Sequence, residues 1–166
     1  MERRRILLAE GNNKFHDDLK VNLTTQTYNT EPPKINRCKN ILVAEDEEFN
    51  RIFLGELLSE THSKIIWAVD GVEAMEYFKV NRIDLILMDI KMPRLSGIEA
   101  VKQIRMLNNK IPIIAQTAFA MEDEEMKFKA QGFNDFIKKP INISEFIEKV
   151  DYWLNKYEFK SNPRQD

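Results

Sequence analysis

The sequence predicts an α/β protein built on one doubly wound, five-stranded parallel sheet with five helices. From residue 41 onward, short apolar runs alternate five times with segments whose apolar residues repeat at helical spacing. The third run, Leu85–Met88, is apolar without a break, as in strands that are covered on both faces. The chain of 166 residues is long enough for one domain with a full core and too short for two ordinary ones.

The first two strands and helices follow directly from this alternation. Ile41–Ala44 is predicted as the first strand, and apolar residues at helical spacing then continue from Phe49 to about Thr61. Lys64–Ala68 is rich in β-branched residues and is predicted as the second strand. Asp70-Gly71 is predicted as a turn. The second helix should bury a stripe made of Val72, Ala74, Met75 and Phe78.

The middle of the chain contains two further strands and two helices. Ile83–Met88 is predicted as the third strand, and Ser96 as the N-cap of the helix that follows. Ile111–Gln116 is predicted as the fourth strand, since Pro112 lies near its start, where a missing N–H donor is tolerated. The charged segment Met121–Ala130 is predicted as an amphipathic helix with a thin apolar face.

The last strand and helix complete the domain, which we expect to span residues 41–157. Asp135–Lys138 is predicted as a short fifth strand, and apolar residues from Ile143 to Tyr157 repeat at helical spacing. Residues 1–40 lack a sustained period and are interpreted as an N-terminal extension or linker. Residues 158–166 are interpreted as a polar tail.

Strands that alternate with helices imply right-handed crossovers, and five such units predict a flavodoxin-like sheet with the strand order 2-1-3-4-5. The first and third strands are then neighbours, so Glu45 and Asp46 should meet Asp89 at the carboxyl edge of the sheet. Three carboxylates repel one another unless a cation lies among them. Oxygen ligands of high charge favour Mg²⁺, with Mn²⁺ as the second choice.

Two further polar groups are expected at the same edge. The fourth strand is followed by Thr117, and the fifth ends in Lys138 and Lys139. A metal and a lysine can neutralise the charge of a phosphoryl group while a hydroxyl donates one hydrogen bond to it. An aspartate can itself accept the phosphoryl group as an acyl phosphate, and Asp89 is the candidate.

Composition limits the classes of partner. The formal net charge is −2, which points to neither nucleic acid nor an anionic membrane surface. No apolar run approaches the length of a membrane span. Cys38 is the only cysteine, so we expect a reducing, cytoplasmic location, or the cytoplasmic part of a membrane-bound protein.

The segments ILVAEDEE, LILMDIKMPRLSGIEA, IIAQTA and IKKPI together resemble the receiver domain of two-component response regulators. The resemblance extends from about Lys39 to Tyr157 and implies a phosphoacceptor. It assigns Asp89 as the phosphoacceptor, and Thr117 as the switch hydroxyl. It also assigns Lys139 as the lysine of the family motif. The acidic pair that holds Mg²⁺ would be Glu45 and Asp46, and the main-chain carbonyl of Lys91 would be a further ligand.

The resemblance also implies a conformational switch. In this family the hydroxyl of the fourth strand moves toward the phosphoryl group, and an aromatic residue of the fifth strand turns inward. That residue is Phe136, which lacks a polar tip. We therefore expect a signalling surface made of the fourth helix, the fifth strand and the fifth helix, which would contact a downstream protein and could form a homodimer on phosphorylation.

The expected partner upstream is a histidine kinase or a phosphotransfer domain. The motifs are most similar to receivers of hybrid sensor histidine kinases, and a free-standing regulator that acts by protein contacts is the alternative. A phosphatase of the haloacid dehalogenase type is less favoured, since it needs a second Asp where this chain has Lys91. An FMN carrier is disfavoured because the acidic first loop would repel phosphate. We expect self-catalysed phosphorylation and dephosphorylation of Asp89, without turnover of a separate substrate.

Overall fold

The computed structural model describes residues 38–118 and 124–161, and the bounds of its elements are close to the predicted ones. The strands are β1 (Asn40–Ala44), β2 (Lys64–Ala68), β3 (Leu85–Asp89), β4 (Ile113–Thr117) and β5 (Asp135–Lys138). The helices are α1 (Glu48–Ser59), α2 (Gly71–Val80), α3 (Gly97–Leu107), α4 (Glu124–Ala130) and α5 (Ile143–Ser161).

All four strand pairs are parallel, and the order is β2-β1-β3-β4-β5. The prediction of a flavodoxin-like five-stranded sheet is therefore confirmed. Alternate residues of the strands pack into two separate layers. One layer includes Met75 of α2, Val101 and Ile104 of α3 and Phe128 of α4. The other includes Leu54 and Leu58 of α1 and Phe146, Val150 and Leu154 of α5.

The central strand has the burial that its unbroken apolar sequence predicted. Every residue of β3 is buried, including Asp89 at its end. Because β1 and β4 flank this strand, residues that follow all three strands lie at one edge of the sheet. The fold therefore places the predicted site residues at the carboxyl edge.

Several boundaries differ from the prediction by a few residues. Asp70 and Gly71 do not form a separate turn, because Asp70 is the N-cap of α2 and Gly71 is its first residue. Helix α5 continues to Ser161, four residues beyond Tyr157. Residues 119–123, which include the first three residues of the predicted fourth helix, lie outside the described residues. So do residues 1–37, most of the predicted extension, and residues 162–166 of the predicted tail.

Helix α3 begins with the cap that the sequence predicted. The Ser96 hydroxyl accepts a hydrogen bond from the main-chain N–H of Glu99, and the Glu99 carboxylate accepts one from the N–H of Ser96. These paired bonds satisfy two of the N–H groups that a helix start leaves without partners. The capping box therefore fixes the start of α3, directly after the loop that follows Asp89.

A buried carboxylate links this loop to the start of α2. The Asp70 side chain accepts hydrogen bonds from the N–H groups of Val72 and Glu73 and forms an ion pair with Arg94. Arg94 has a φ of 61°, a strained conformation for a residue other than glycine. Burial favours the neutral form of Asp70, but the hydrogen bonds from Glu73, Arg94 and Val72 outweigh it and lower the pKa of the carboxyl.

We expect Asp70→Asn to destabilise the fold at neutral pH, and less so in acid. The asparagine oxygen can still cap α2, but the charge opposite the half-exposed Arg94 is lost, so the free energy of unfolding should fall by about 1–2 kcal/mol. Because the folded pKa is depressed, the contribution of Asp70 is present above its unfolded pKa of 3.8 and is lost as the pH falls through the folded value. Urea unfolding at pH 7 and near pH 3 checks this prediction, with Asp151→Asn as an exposed control. An equal loss at both pH values would contradict it.

Candidate functional site

Three carboxylates converge at the carboxyl edge of the sheet. Glu45 and Asp46 follow β1, and Asp89 ends β3, which is paired with β1. Each of the three offers one carboxylate oxygen, and these oxygens lie within 4.8 Å of one another. Glu45 is fully buried and Asp89 nearly so, whereas Asp46 is exposed. The structure thus brings together the acidic residues that the sequence predicted to meet.

Lys139 reaches two of these carboxylates from the end of β5. Its ammonium donates a hydrogen bond of 2.7 Å to Glu45 Oε2 and forms an ion pair with Asp89 Oδ2. The other oxygen of Asp89, Oδ1, accepts a hydrogen bond of 2.9 Å from the main-chain N–H of Lys91. Lys138, by contrast, is exposed. Of the two adjacent lysines, only Lys139 is therefore bonded within the site.

Burial and charge shift the ionisation of this pair. Burial raises the pKa of the Asp89 carboxyl, and the charge of Glu45 adds to the effect, while the bonds from Lys139 and Lys91 oppose it without cancelling it. For Lys139, burial works against the charged form. The hydrogen bonds and charges of Asp89 and Glu45 prevail and raise the pKa of its ammonium. Lys139 is therefore cationic at neutral pH and lies beside the carboxylate of Asp89, the predicted phosphoacceptor.

Helix α1 holds the acidic loop in place. Asn50 donates a hydrogen bond of 2.9 Å to Glu45 Oε1, and the Arg51 guanidinium donates to the main-chain carbonyl oxygens of Glu45 and Asp46, at 2.9 and 2.6 Å. Because Arg51 binds both carbonyl oxygens, the loop contributes its carboxylates, and not its main chain, to the acidic cluster. Neither residue was predicted to belong to the site, although their position in the first turn of the helix after an acidic pair could have indicated this role.

A cleft of about 400 Å³ opens above the carboxylates. Thr117, at the end of β4, and Lys91, in the loop after β3, both line it with the acidic cluster. Thr117 is buried, with 4% of its surface exposed. The predicted hydroxyl, lysine and carboxylates therefore share one cleft, which is larger than a phosphoryl group alone would require.

The predicted switch residue lies on β5, which is separated by β4 from the strands that carry the carboxylates. The Phe136 ring is half-buried and lies 5.6 Å, centroid to centroid, from the ring of Phe128 on α4. The ammonium of Lys149 lies 4.8 Å from the Phe136 ring centre and donates to the Phe136 carbonyl oxygen at 2.6 Å. The peptide bond between Lys139 and Pro140 is cis.

The chemistry of the donor set fits a hard divalent cation. Only oxygen atoms are offered, the three carboxylates are close together, and the cluster faces an open cleft. Mg²⁺ accepts one or two carboxylates and keeps several waters, and Mn²⁺ tolerates the same ligands. One or two carboxylates of Glu45, Asp46 and Asp89 could therefore hold such an ion.

Two features separate this protein from other doubly wound folds. Its first loop is acidic, where a nucleotide-binding protein would offer N–H donors to phosphate, and a lysine joins the carboxylates that follow two neighbouring strands. Together with the sheet order, these features define the class of receiver domains. The chain belongs to the response regulator receiver domain family, which it matches over residues 41–151.

The chain is similar to relatives of known name. It is 36% identical over 118 residues to the polar-differentiation response regulator DivK of Brucella anthropi, a stretch that covers 70% of this chain and 96% of DivK. DivK of Brucella ovis is 35% identical with the same coverage. Each of these relatives is thus matched over nearly its whole length.

Solved structures of receiver domains are also similar. The receiver of a sensor histidine kinase from Pseudomonas aeruginosa, crystallised with a magnesium ion in its active-site cleft, shares 29% identity. Its TM-score is 0.65, over 71% of this chain and 98% of that one. The Ssk1 receiver of Saccharomyces cerevisiae, crystallised with the histidine phosphotransfer protein Ypd1, shares 32% identity. Its TM-score is 0.65, over 70% of this chain and 88% of that one.

Within residues 38–118 and 124–161, no helix combines the length and the apolar character that crossing a bilayer requires.

Proposed function

We propose that this protein accepts a phosphoryl group on Asp89 from a phosphohistidine and changes its surface in response. One observation carries the proposal: the Lys139 ammonium binds both Glu45 and Asp89, and these three residues line one acidic cleft. A lone buried carboxylate would be a poor acceptor for an anionic group, because like charges repel. The adjacent ammonium and a bound cation remove that obstacle.

The transfer forms one bond and breaks one. An Asp89 carboxylate oxygen attacks phosphorus in line with the leaving group, an O–P bond forms, and the N–P bond of the donor imidazole breaks. The electron pair of that bond returns to the imidazole nitrogen. When bound, Mg²⁺ supplies positive charge to the transferred oxygens and offsets the repulsion among the carboxylates.

The protein's own groups position the reactants. The N–H of Lys91 holds Asp89 Oδ1, which leaves the opposite oxygen beside Lys139. The Lys139 ammonium neutralises charge on the phosphoryl group, and the Thr117 hydroxyl donates to one of its oxygens. We further propose that the main-chain carbonyl of Lys91 completes the metal site. Phosphorylation and hydrolysis then occur on the protein itself, without a separate substrate.

The phosphoryl donor would be a histidine kinase or a histidine phosphotransfer protein. The site lies at the start of α1, whose outer face exposes Phe49 and Ile52, with exposures of 86% and 59%. An apolar helix face beside a reactive cleft favours docking of another helical protein. The Ssk1 receiver, which was crystallised with the histidine phosphotransfer protein Ypd1, is similar in fold and sequence.

We propose that the output surface consists of α4, β5 and α5, with Phe136 at its centre. Phe136 contacts α4 through Phe128 and α5 through Lys149, so a turn of this ring would change contacts on both helices. A downstream protein, or a second copy of the chain, would read the change. The similarity to DivK favours a free-standing regulator, and the similarity to kinase receivers favours a place in a hybrid kinase.

Mass spectrometry after incubation with acetyl phosphate and Mg²⁺ tests the proposed function. The wild-type chain should gain one phosphoryl group, and Asp89→Asn should gain none, because the amide is not a nucleophile that can replace the carboxylate. Omission of Mg²⁺ should reduce labelling strongly. An unlabelled wild type, or equal labelling of the Asn variant, would refute the phosphoacceptor assignment. A second arm with a phosphorylated histidine phosphotransfer protein in place of acetyl phosphate tests the donor class.

A further inference from the structure

Gln116 carries a buried amide that its surroundings do not satisfy. The residue is fully buried in β4, directly before Thr117. Within the described residues, neither Oε1 nor Nε2 of its side chain has a hydrogen-bond partner. A buried amide without partners destabilises the fold that contains it, and such groups are rare in native proteins. An apolar side chain of similar size would remove this penalty, so the presence of an amide here requires an explanation.

The register of the sheet places Gln116 beside the phosphoacceptor. Gln116 is paired with Asp89 on one side and with Ile137 on the other. The pairing of β1 with β3 ends at Ala44 and Met88, and its extension by one residue would set Glu45 opposite Asp89, in the same row as Gln116. Residues of one row leave a parallel sheet on the same face, and adjacent strands are only about 4.8 Å apart.

Lys139 reaches toward this row from the end of β5, on the side of β4 opposite to β3. It follows Ile137 by two residues and so leaves β5 toward the same face, yet its ammonium binds Glu45 and Asp89 beyond β4. The lysine side chain therefore crosses the end of β4, where Gln116 and Thr117 lie, to reach them. The register thus places the unpaired amide on the same face of the sheet as Asp89, one strand away.

We propose that Gln116 is a positioning residue for the phosphorylated form, an inference that rests on the proposed function. Phosphorylation removes the negative charge from the Asp89 carboxylate and places charge on the phosphoryl oxygens, so the Lys139 ammonium follows it. The carbonyl oxygen that remains on Asp89 keeps the main-chain N–H of Lys91 as a donor and can accept a second hydrogen bond. Gln116 Nε2, one strand away on the same face, donates to that oxygen. The unpaired amide thus raises the free energy of the unphosphorylated form and favours the phosphorylated one.

Thermal unfolding of Gln116→Met tests the inference. Methionine is of similar length and cannot donate or accept a comparable hydrogen bond. In Mg²⁺ alone, the variant should unfold at a higher temperature than the wild type, because no amide is buried without a partner. The further rise in unfolding temperature on addition of acetyl phosphate should shrink by about half or more. Gln103→Met, on the exposed face of α3, is the matched control and should change neither value.

Two outcomes would overturn the inference. If Gln116→Met unfolds at the same or a lower temperature than the wild type in Mg²⁺ alone, the amide already has a partner such as a buried water. If the rise caused by acetyl phosphate equals that of the wild type, the amide does not serve the phosphorylated form. Gln116→Leu provides a second apolar variant should the methionine not fit. Failure of the proposed function is distinct, since the wild type itself would then show neither label nor shift.

Discussion

Replacing Lys139 with methionine is expected to slow phosphorylation of Asp89 by about a hundredfold or more, the usual effect of removing one charge-stabilising donor. The ammonium is the cation that joins Asp89 to Glu45, and without it two carboxylates face each other in a largely buried site. Their repulsion and the charge of the incoming phosphoryl group would then be offset by the metal alone. The rate of labelling by acetyl phosphate in Mg²⁺, followed by mass spectrometry, measures the effect.

The neighbouring lysine provides a matched control for this experiment. Lys138 precedes Lys139 in the chain, has the same chemistry and is exposed. Lys138→Met changes the net charge by the same amount, so it should label at nearly the wild-type rate. Equal slowing of both variants would show that the overall charge of the edge matters, and would contradict a specific role for Lys139. Urea unfolding of each variant confirms that the comparison is made between folded proteins.

The carboxyl-edge site could be predicted because its members follow apolar runs, directly or after one polar residue. A buried strand ends near the point where its apolar residues end, so the polar residues that follow lie at the edge of the sheet. Asp89 and Glu45 directly follow apolar runs, whereas Thr117 and Lys139 come one polar residue later, after Gln116 and Lys138. Right-handed crossovers and the strand order 2-1-3-4-5 of a flavodoxin-like sheet then bring these ends together.

The contacts that depend on loop geometry could not be predicted in this way. The ion pair of Asp70 with Arg94 joins two loops that are separated by more than twenty residues, and no sequence period relates them. The hydrogen bonds from Arg105 to the carbonyl oxygens of Gly132 and Ile111 could not be predicted either, because they form only where the end of α3 lies beside both residues. The Ser96 cap, by contrast, could be predicted because a cap depends on residues within one helical turn, here Ser96 and Glu99.

Gln116 shows a different limit of sequence reasoning. It was included in the predicted fourth strand, but one glutamine at the end of an apolar run indicates an exposed side chain more readily than a buried one. Its burial follows from the position of β4 between β3 and β5. Only the structure reveals that a polar group lies in the row of Asp89 without a partner among the described residues.

Gly97→Ala is expected to be the most damaging small substitution near the site. Gly97 is the first residue of α3, and its N–H donates to the carbonyl oxygen of Ile90 at 3.1 Å. A Cβ at this position would collide with the main-chain carbonyl of Asp89 and would come within 2.9 Å of Met88 Cγ. Main chain cannot yield as a flexible side chain can, so the free energy of unfolding should fall by about 3 kcal/mol or more.

Gly55→Ala distinguishes this steric effect from the general effect of adding a methyl group. Gly55 lies within α1, and its Cβ would meet only Trp67 Cζ2 at 3.6 Å, an ordinary contact. Alanine should therefore stabilise this helix by about 0.5–1 kcal/mol. Urea unfolding of the two variants should give changes of opposite sign. If Gly97→Ala were as stable as the wild type, α3 could not approach the Asp89 carbonyl so closely. In a folded Gly97→Ala variant, labelling of Asp89 should also slow, because α3 can relieve the collision only by displacing the strand end that carries Asp89.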